Sequence, residues 1–452
     1  CPARNMNGLQ RIFDMARATY HPQIGLTIFA ILLMMTGCGN RQADSVIELT
    51  FWHAWGGYEG KYLEDLVREF NNTHTQIRVK PAFFIIGDKL MAAIAGGIPP
   101  DIATVWDWML PTMGEAGCFL PLNDYLLRAG PGPEDYLPNV WDYGMFSEKK
   151  FGVPTALNVW MIFYNKRLFT EAGLDPEFPP ADIASLTECA RRLTRRDATG
   201  KLERIGFIPE FQYSYIWMWN FGGDLYDRES RHFIIDSPEN VQAMKWIASL
   251  YREYGIDNYR RFVATFGEYD SPNNPFYKEK LAMREDGQWQ ISFIRHNAPD
   301  LDYGLIPFVS AVRDRESQSA MTGSFWVIPE GCRNPDAAWT FLSWLIAPAQ
   351  SARFAATLYN VPPLRAALND PAYADVYRSR MRVFIEFLLE GRARPLPALP
   401  IGQFFYNEFN NIMEEICSGA LEPEAGLPIL DNRLQRELDR SLRHLGITEE
   451  HT

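Results

Sequence analysis

Two short stretches contain residue types that could hold a polar solute. The first, Trp52-His53-Ala54-Trp55, follows an alternating run from Ile47 to Phe51. The second, Trp106-Asp107, follows the apolar run from Ile102 to Val105. Aromatic rings can stack on the flat faces of a ligand, and a carboxylate accepts short hydrogen bonds from hydroxyl groups. These stretches therefore predict aromatic platforms with an acidic residue beside them.

The elements around these stretches predict that both lie at one edge of a sheet. Ile47, Leu49 and Phe51 alternate with polar residues, as in a strand with one buried face. Helical spacing over 59–71 and 89–95 and strand patterns over 77–80 and 101–106 complete a β-α-β-α-β order, which implies a parallel sheet with right-handed crossovers. In such sheets the ligand crevice lies at the carboxyl ends of the strands. The alternative is that Trp52 and Trp55 are core anchors, since buried aromatic residues are common.

The composition restricts the class of protein. A chain of 452 residues exceeds what one core usually supports, so we expect two lobes or domains. The formal net charge of −12 argues against a general nucleic-acid binder and is easier to reconcile with an uncharged or cationic ligand. No two of the six cysteines have the short spacing of a zinc site or a redox dithiol. We expect no metal and no cofactor.

The N-terminal region is typical of an export signal. Arg11 and Arg17 precede an apolar run over 24–35, which is too short for a stable transmembrane helix. The run ends in Met35-Thr36-Gly37-Cys38, which resembles a bacterial lipobox with Met35 where leucine is more common. We therefore expect a lipoprotein signal peptide over 1–37, a lipid on Cys38 and a polar tether over 38–45. The start codon could lie at Met6 or Met15. The alternative is a short buried helix of a cytoplasmic domain.

Motifs spread along the chain carry a family resemblance. In order, they are Thr50-Phe51-Trp52-His53-Ala54-Trp55-Gly56-Gly57, the run over 90–97 with Pro99-Pro100-Asp101-Ile102, Tyr164-Asn165-Lys166 with Ala172-Gly173-Leu174, Ala282-Met283 through Gly287-Gln288-Trp289, and Ile328-Pro329 through Leu342. Together they resemble the extracellular solute-binding proteins of ABC importers, in the sugar-binding group that includes maltose-binding protein (family 1). The chain departs from the family pattern at Gln288, where the family often has glycine or proline.

The resemblance implies a two-lobe α/β fold of the periplasmic-binding-protein type, in which each lobe is a mainly parallel sheet flanked by helices. The chain would cross the hinge three times, near 154–157, 322–327 and 358–362. Lobe one would comprise 46–155 and 326–358, and lobe two 156–325 and 359–452. Hinge closure would trap the solute, because only a few crossing residues need to change their backbone angles.

The resemblance also implies which residues contact the solute. Asp107 would bind sugar hydroxyls, with Trp52, Trp55 and Trp106 in the same lobe and Trp289 opposite. The weaker candidates are Asn158, Trp160, Asn220, Gly222, Gly223, Phe325 and Trp326. His53 is a structural or edge residue rather than a metal ligand in this interpretation, because no second histidine lies at ligand spacing. Whether Trp52, His53 or Trp55 makes the contact stays open.

The predicted function is that of a substrate-binding lipoprotein of an ABC transporter. It would capture a sugar or oligosaccharide and deliver it to the permease subunits, as a monomer anchored on the outer side of the cell membrane through Cys38, without binding nucleic acid. One alternative ligand is glycerol phosphate or a related phosphodiester or polyol, although no strand end singled out above carries a basic residue. The chain is not expected to be an enzyme. A glycoside hydrolase would need two carboxylates at a set separation, and the chain has no recognisable catalytic motif.

Overall fold

The computed structural model describes residues 46–84, 87–266 and 271–447. The predicted signal peptide over 1–37, the predicted lipidation site Cys38 and the predicted tether over 38–45 lie outside the described residues. The described helices and strands all belong to one compact unit, which begins at Ile47.

One mixed sheet forms the centre of this unit. The strands of the described residues are β1 Ile47–His53, β2 Ile77–Phe83, β3 Ile102–Trp106, β4 Val153–Asn165, β5 Arg195–Arg196, β6 Leu202–Arg204, β7 Tyr226–Asp227, β8 His232–Phe233, β9 Met283–Gly287, β10 Tyr303–Ile306, β11 Ser319–Val327 and β12 Ala393–Arg394. The central sheet has eight of them, in the order β10-β4-β11-β3-β1-β2, with β9 paired to β4 and β12 paired to β11. Two further pairs, β5-β6 and β7-β8, are separate.

Helices pack around this sheet. They are α1 Gly57–Thr73, α2 Asp88–Ala95, α3 Leu110–Glu115, α4 Asn123–Ala129, α5 Lys166–Glu171, α6 Ile183–Leu193, α7 Ser214–Asn220, α8 Pro238–Tyr254, α9 Ile256–Val263, α10 Gln290–Asn297, α11 Pro335–Leu345, α12 Pro348–Leu358, α13 Arg365–Leu368, α14 Ala374–Arg378, α15 Arg382–Leu389, α16 Gly402–Ser418 and α17 Pro423–His444. Short 3₁₀ turns lie at Pro133–Asp135, Phe211–Tyr213 and Pro371–Tyr373.

The first three strands confirm the predicted β-α-β-α-β order. β1 pairs in parallel with β2, where Leu49 lies opposite Val79, and with β3, where Phe51 lies opposite Ile102. Leu49 and Phe51 are fully buried while their chain neighbours Glu48 and Thr50 are exposed, so the alternation predicted from the sequence is present in the sheet. The α/β fold class is confirmed.

The strands around β4 correct the expectation of a mainly parallel sheet in each lobe. β4 is antiparallel to β11, to β9 and to β10. Because β9 and β10 are both antiparallel to β4, they run in the same direction on either side of it, and α10 links them. Because neither strand lies near β4 in the sequence, no local pattern indicated which way it would pair with them.

β4 also separates two of the hydrophobic clusters that form the core. Its side chains alternate across the sheet: Trp160 and Ile162 pack into one cluster, and Val159 and Met161 into another. A third cluster contains Val153, at the start of β4, together with the buried residues of β1 and α1. The strand therefore brings its middle residues, from Ala156 to Trp160, to the place where the clusters meet.

Candidate functional site

Two neighbouring cavities lie beside the middle of β4. The first, here called the charged cavity, has a volume of about 440 Å³. Its lining is Ala54, Trp55, Glu59, Trp106, Ala156, Asn158, Trp160, Glu210, Gln212, Tyr213, Arg284, Asp286, Trp289, Phe293, Ser324, Leu358 and Asn360. The second, here called the aromatic cavity, has a volume of about 300 Å³. Its lining is Trp106, Asp107, Trp108, Asn158, Trp160, Gln212, Tyr213, Tyr215, Trp289, Thr322, Gly323, Leu396, Phe405, Tyr406 and Phe409.

The two cavities have a common wall and together form one cleft. The shared residues are Trp106, Asn158, Trp160, Gln212, Tyr213 and Trp289. A cavity lined by aromatic rings and a few planar polar groups is typical of small-molecule sites. The cleft is therefore the candidate functional site.

Trp160 on β4 is the centre of the shared wall. Its ring lies 4.0 Å from the ring of Tyr213 and meets the ring of Trp289 edge-on at 5.2 Å between centroids. Gly287 permits this arrangement, because a Cβ there would lie 1.9 Å from the Trp289 ring. Three rings from separate segments are thus fixed before any solute enters.

Asp107 and Trp106 lie at the carboxyl end of β3, as the strand-end rule predicted. Trp106 is exposed to 37%, which is unusual for tryptophan in a sheet. The carboxylate of Asp107 accepts hydrogen bonds from the Trp108 backbone N–H at 2.9 Å and from the Tyr143 hydroxyl at 2.6 Å. Burial raises the pKa of Asp107 to about 6, against the effect of these two donors. Asp107 is therefore a fixed acceptor in the aromatic cavity.

A buried amide orders the polar edge of the charged cavity. Gln288 is fully buried, and its Nε2 donates to the Oδ1 atoms of Asn158 and Asn360 at 3.1 and 3.0 Å. Its Oε1 accepts from the Val159 backbone N–H at 2.7 Å. The departure from the family pattern at Gln288 thus has a physical role, because this side chain positions two asparagines that line the cavity.

Four ionisable groups give the charged cavity its character. The Arg284 guanidinium Nε lies 2.8 Å from Asp286 Oδ2, and its Nη2 lies 3.9 Å from Glu210 Oε1. Behind them, Glu285 accepts from the Glu210 backbone N–H and the Trp217 indole, and burial raises its pKa well above the usual range for glutamate. Glu59 lines the same cavity. Among the described lining residues of the charged cavity, the carboxylates therefore outnumber the cations.

Trp52 and His53 do not line either cavity, whereas Trp55 lines the charged cavity. The Trp52 ring stacks on Phe84 at 4.1 Å. His53 is fully buried, and burial lowers the pKa of its imidazole. His53 continues the buried alternation of Leu49 and Phe51, which is why it points into the core. Of the three open possibilities at this strand end, the structure brings only Trp55 to the cleft.

Three other predicted residues lie in the core rather than in the cleft. Trp326 is 1% exposed and packs edge-on against Trp55, so it supports a cavity residue from behind. Asn220 is buried and exchanges hydrogen bonds with the backbone of Gln318. Gly223 packs so closely on Asn240 that a Cβ would lie 2.0 Å from its Oδ1. Trp326, Asn220 and Gly223 were expected to contact the solute. The structure instead gives them roles in packing and in hydrogen bonds to the backbone.

Several cavity residues were not predicted as contacts. They are Glu59, Glu210, Gln212, Tyr213, Arg284, Asp286, Phe293, Asn360 and Tyr406. Two signals were present in the sequence: Tyr213 lies in an aromatic-rich segment, and Asp286 directly precedes the Gly287-Gln288-Trp289 motif. For the others, the contact depends on long-range packing.

Features of other kinds of site are scarce in the part of the chain that the structure describes. No cluster of three or more His, Cys, Asp or Glu side chains there could hold a metal ion. Within the same ranges, no helix is long and apolar enough to cross a membrane. The described cysteines, Cys118, Cys189, Cys332 and Cys417, are free thiols.

Comparison with known proteins adds independent observations. The sequence model described as bacterial extracellular solute-binding protein matches residues 65–376. The sn-glycerol-3-phosphate-binding periplasmic protein UgpB of Escherichia coli is 25% identical over 324 residues, which are 67% of this chain and 70% of that protein. The protein of the same name from Pectobacterium atrosepticum is 24% identical over 334 residues, which are 69% and 71% of the two chains.

Solved structures match over a longer range. CpMnBP1 with mannobiose bound has a TM-score of 0.76 and 27% identity, and the match covers 86% of this chain and 99% of that chain. An ABC transporter solute-binding protein from Thermotoga lettingae, bound with α-D-tagatose, has a TM-score of 0.73 and 21% identity over 87% and 100% of the two chains. At this lower identity the second match bears on the fold alone.

Proposed function

Because the chain belongs to the bacterial extracellular solute-binding protein family, we propose that it captures a sugar or short oligosaccharide in its cleft for an ABC importer. The observation that carries this proposal is the shared wall of Trp106, Trp160, Tyr213 and Trp289, with Asp107 and Asn158 beside it. Sugars have C–H faces that stack on rings and hydroxyl rims that bond to carboxylates and amides. The mannobiose-bound relative at 27% identity supports the same ligand class.

The charges of the cleft favour a neutral sugar over glycerol phosphate, the ligand named for the UgpB relatives. A phosphate group needs arginine, lysine or helix N-termini aimed at it. Among the described lining residues, Arg284 is the basic one, and it lies beside Asp286 and near Glu210. A dianion in the charged cavity would face Glu59, Glu210 and Asp286, so it would be repelled.

Opening and closing of two lobes is the proposed capture step. The three predicted crossings are neighbours in space: β4 and β11 pair from Val153 to Val159, and Leu157 exchanges two backbone hydrogen bonds with Val361, at 2.8 and 3.0 Å. Segments packed side by side can bend together as one hinge. This arrangement supports lobes at 46–155 with 326–358 and at 156–325 with 359–452.

The partners and location follow from the family and the N-terminal sequence. The family is extracellular, so we propose delivery of the solute to permease subunits in the membrane. We further propose that Cys38 carries the lipid anchor and that the protein acts as a monomer. The matched family and the mannobiose-bound neighbour are binding proteins, and we propose that this chain has no catalytic activity of its own.

Calorimetric titration tests the proposed ligand. The chain from Gly39 onward would be titrated with mannobiose, maltotriose, tagatose and sn-glycerol-3-phosphate. We expect micromolar or tighter binding of at least one sugar and no binding of the phosphate. Tight binding of glycerol phosphate without any sugar would overturn the sugar assignment. Turnover of a glycoside by the same preparation would contradict the absence of catalysis.

A further inference from the structure

A small apolar recess adjoins the aromatic cavity and shares no lining residue with the charged cavity. It has a volume of about 30 Å³. Asp107, Trp108, Leu396 and Phe405 line both the recess and the aromatic cavity. The recess and the aromatic cavity are therefore adjacent, and these four residues lie at their common boundary.

The walls of the recess are mostly apolar. Pro111, Phe233, Leu396, Ala398 and Phe405 contribute carbon atoms. The side chains with polar atoms are Asp107, Tyr143 and the indole of Trp108, and Asp107 and Tyr143 are already bonded to each other at 2.6 Å. A sugar hydroxyl buried here would lose its bonds to water and gain few in return, which costs free energy. A ring bearing hydroxyl groups all round is thus a poor occupant.

Close packing between two elements fixes the shape of the recess. Gly402, at the start of α16, lies against Trp108, and a Cβ at that position would be 2.1 Å from the Trp108 carbonyl oxygen. The Trp108 ring is stacked on Tyr406 of the same helix, 4.9 Å apart and nearly parallel. Trp108 belongs to one proposed lobe and Gly402 and Tyr406 to the other, so these contacts give the recess its shape when the lobes are closed.

We propose that this recess is a subsite for a short acyl or alkyl substituent, and that the solute is an oligosaccharide that carries such a group, as in an O-acetylated sugar. The inference rests on the proposed sugar-binding function and names the class of sugar. The volume suits a substituent of a few heavy atoms. Burial of one methyl group from water is expected to tighten binding roughly fivefold.

Competition in one sample tests the subsite directly. The chain from Gly39 onward would be incubated with a mixture of mannobiose and mono-O-acetylated mannobioses, and the bound species would be weighed by native mass spectrometry. We expect at least one acetylated species to be enriched in the complex relative to the input mixture. Binding of mannobiose without enrichment of any acetylated species would overturn the subsite and leave the sugar-binding function standing.

A substitution that fills the recess gives a second test, and the same substitution at an exposed site is its control. Ala398→Leu should remove the enrichment while the affinity for unsubstituted mannobiose stays within about twofold, because Ala398 lines the recess and neither of the two cavities. Ala420→Leu, at an exposed alanine, should keep the enrichment. Equal enrichment in both variants would overturn the proposal. If no member of the mixture bound to the unsubstituted protein, both the subsite and the proposed sugar class would fall.

Discussion

The two cavities of the cleft share one wall but differ in what lies opposite it. The charged cavity adds Glu59, Glu210, Arg284 and Asp286 to the shared rings, whereas the aromatic cavity adds Trp108, Tyr215, Phe405, Tyr406 and Phe409 with Asp107 as its acidic side chain. Rings hold a solute through contact area, and carboxylates hold it through directed hydrogen bonds. We therefore expect affinity to come mainly from the aromatic cavity and discrimination by charge from the charged cavity.

The shared wall should carry the largest effect, because it serves both cavities. Trp289→Ala removes a ring that packs edge-on against Trp160. We expect affinity for mannobiose to fall roughly thirtyfold, the effect of about 2 kcal/mol at a binding hot spot. Calorimetry measures the loss. Trp344→Ala is the matched control, since Trp344 packs on Phe70 and lines neither cavity. An unchanged affinity for Trp289→Ala would show that the solute does not use the shared wall.

The acidic group of the aromatic cavity should make binding depend on pH. With a pKa of about 6, Asp107 is mostly ionised at pH 7.5 and roughly one-tenth ionised at pH 5. If the ionised form accepts hydrogen bonds from sugar hydroxyls, the affinity is close to its maximum above about pH 7. It then falls by at most about tenfold between pH 7 and pH 5. Titration of mannobiose at several pH values measures the change.

Two substitutions separate this effect from general acid sensitivity. Asp107→Asn should give weaker binding that no longer varies over this pH range. Asp175→Asn, at a carboxylate outside both cavities, should keep the pH dependence of the unaltered protein. The assignment to Asp107 is contradicted if the Asp107→Asn variant keeps the same pH profile as the parent.

Much of the fold could be predicted where the periodicity was local and strong. The alternation of β1 and the stripe of α1 each extend over more than one turn or pleat, so their types and order followed from the sequence. The two-residue strands β5, β7, β8 and β12 are too short for any period to appear. The antiparallel pairing of β4 could not be predicted, because β9 and β10 lie more than 100 residues further along the chain.

The same distinction applies to the candidate site. Trp106 and Asp107 could be predicted to lie at the cleft because Trp106 ends a strand and Asp107 directly follows it, at the carboxyl edge of the sheet. His53 could have been excluded by the alternation that was already visible, since it follows Leu49 and Phe51 at a spacing of two. Glu210 and Arg284 could not be predicted, because they come together only through the pairing of distant segments.

Next to Glu59 and Phe293, which line the charged cavity, Tyr58 and Ser292 make a hydrogen bond whose loss should have a moderate effect. The hydroxyl of Tyr58 lies 2.8 Å from that of Ser292, and its ring stacks on His296 at 6.0 Å. These residues belong to different proposed lobes. Tyr58→Phe removes the hydrogen bond and keeps the ring, so we expect roughly fivefold weaker binding of mannobiose if the bond favours the closed state.

A double-mutant cycle tests whether this contact acts as a pair. Tyr58→Phe and Ser292→Ala should each weaken binding, and the double variant should be no weaker than the single ones, because one bond is lost in all three. Stopped-flow fluorescence should assign the change mainly to faster dissociation. Fully additive effects would show that the two hydroxyl groups contribute independently.

Neutralising a carboxylate of the charged cavity should have the smallest effect on sugar affinity. The same change should alter the selectivity between a sugar and a phosphate. Glu210→Gln keeps the shape and the acceptance of a hydrogen bond from Gln212 at 3.0 Å, and it removes one negative charge near Arg284. We expect mannobiose affinity to change by no more than about twofold, since a partly exposed charge contributes little to binding a neutral ligand. Repulsion of a phosphate falls at the same time, so sn-glycerol-3-phosphate should bind more tightly to this variant than to the parent.

Glu203→Gln is the matched control. Glu203 is an exposed carboxylate outside both cavities, so this variant should leave both affinities unchanged. A large loss of sugar affinity without any gain for the phosphate would mean that Glu210 binds the sugar itself, and the division of roles between the two cavities would then be wrong.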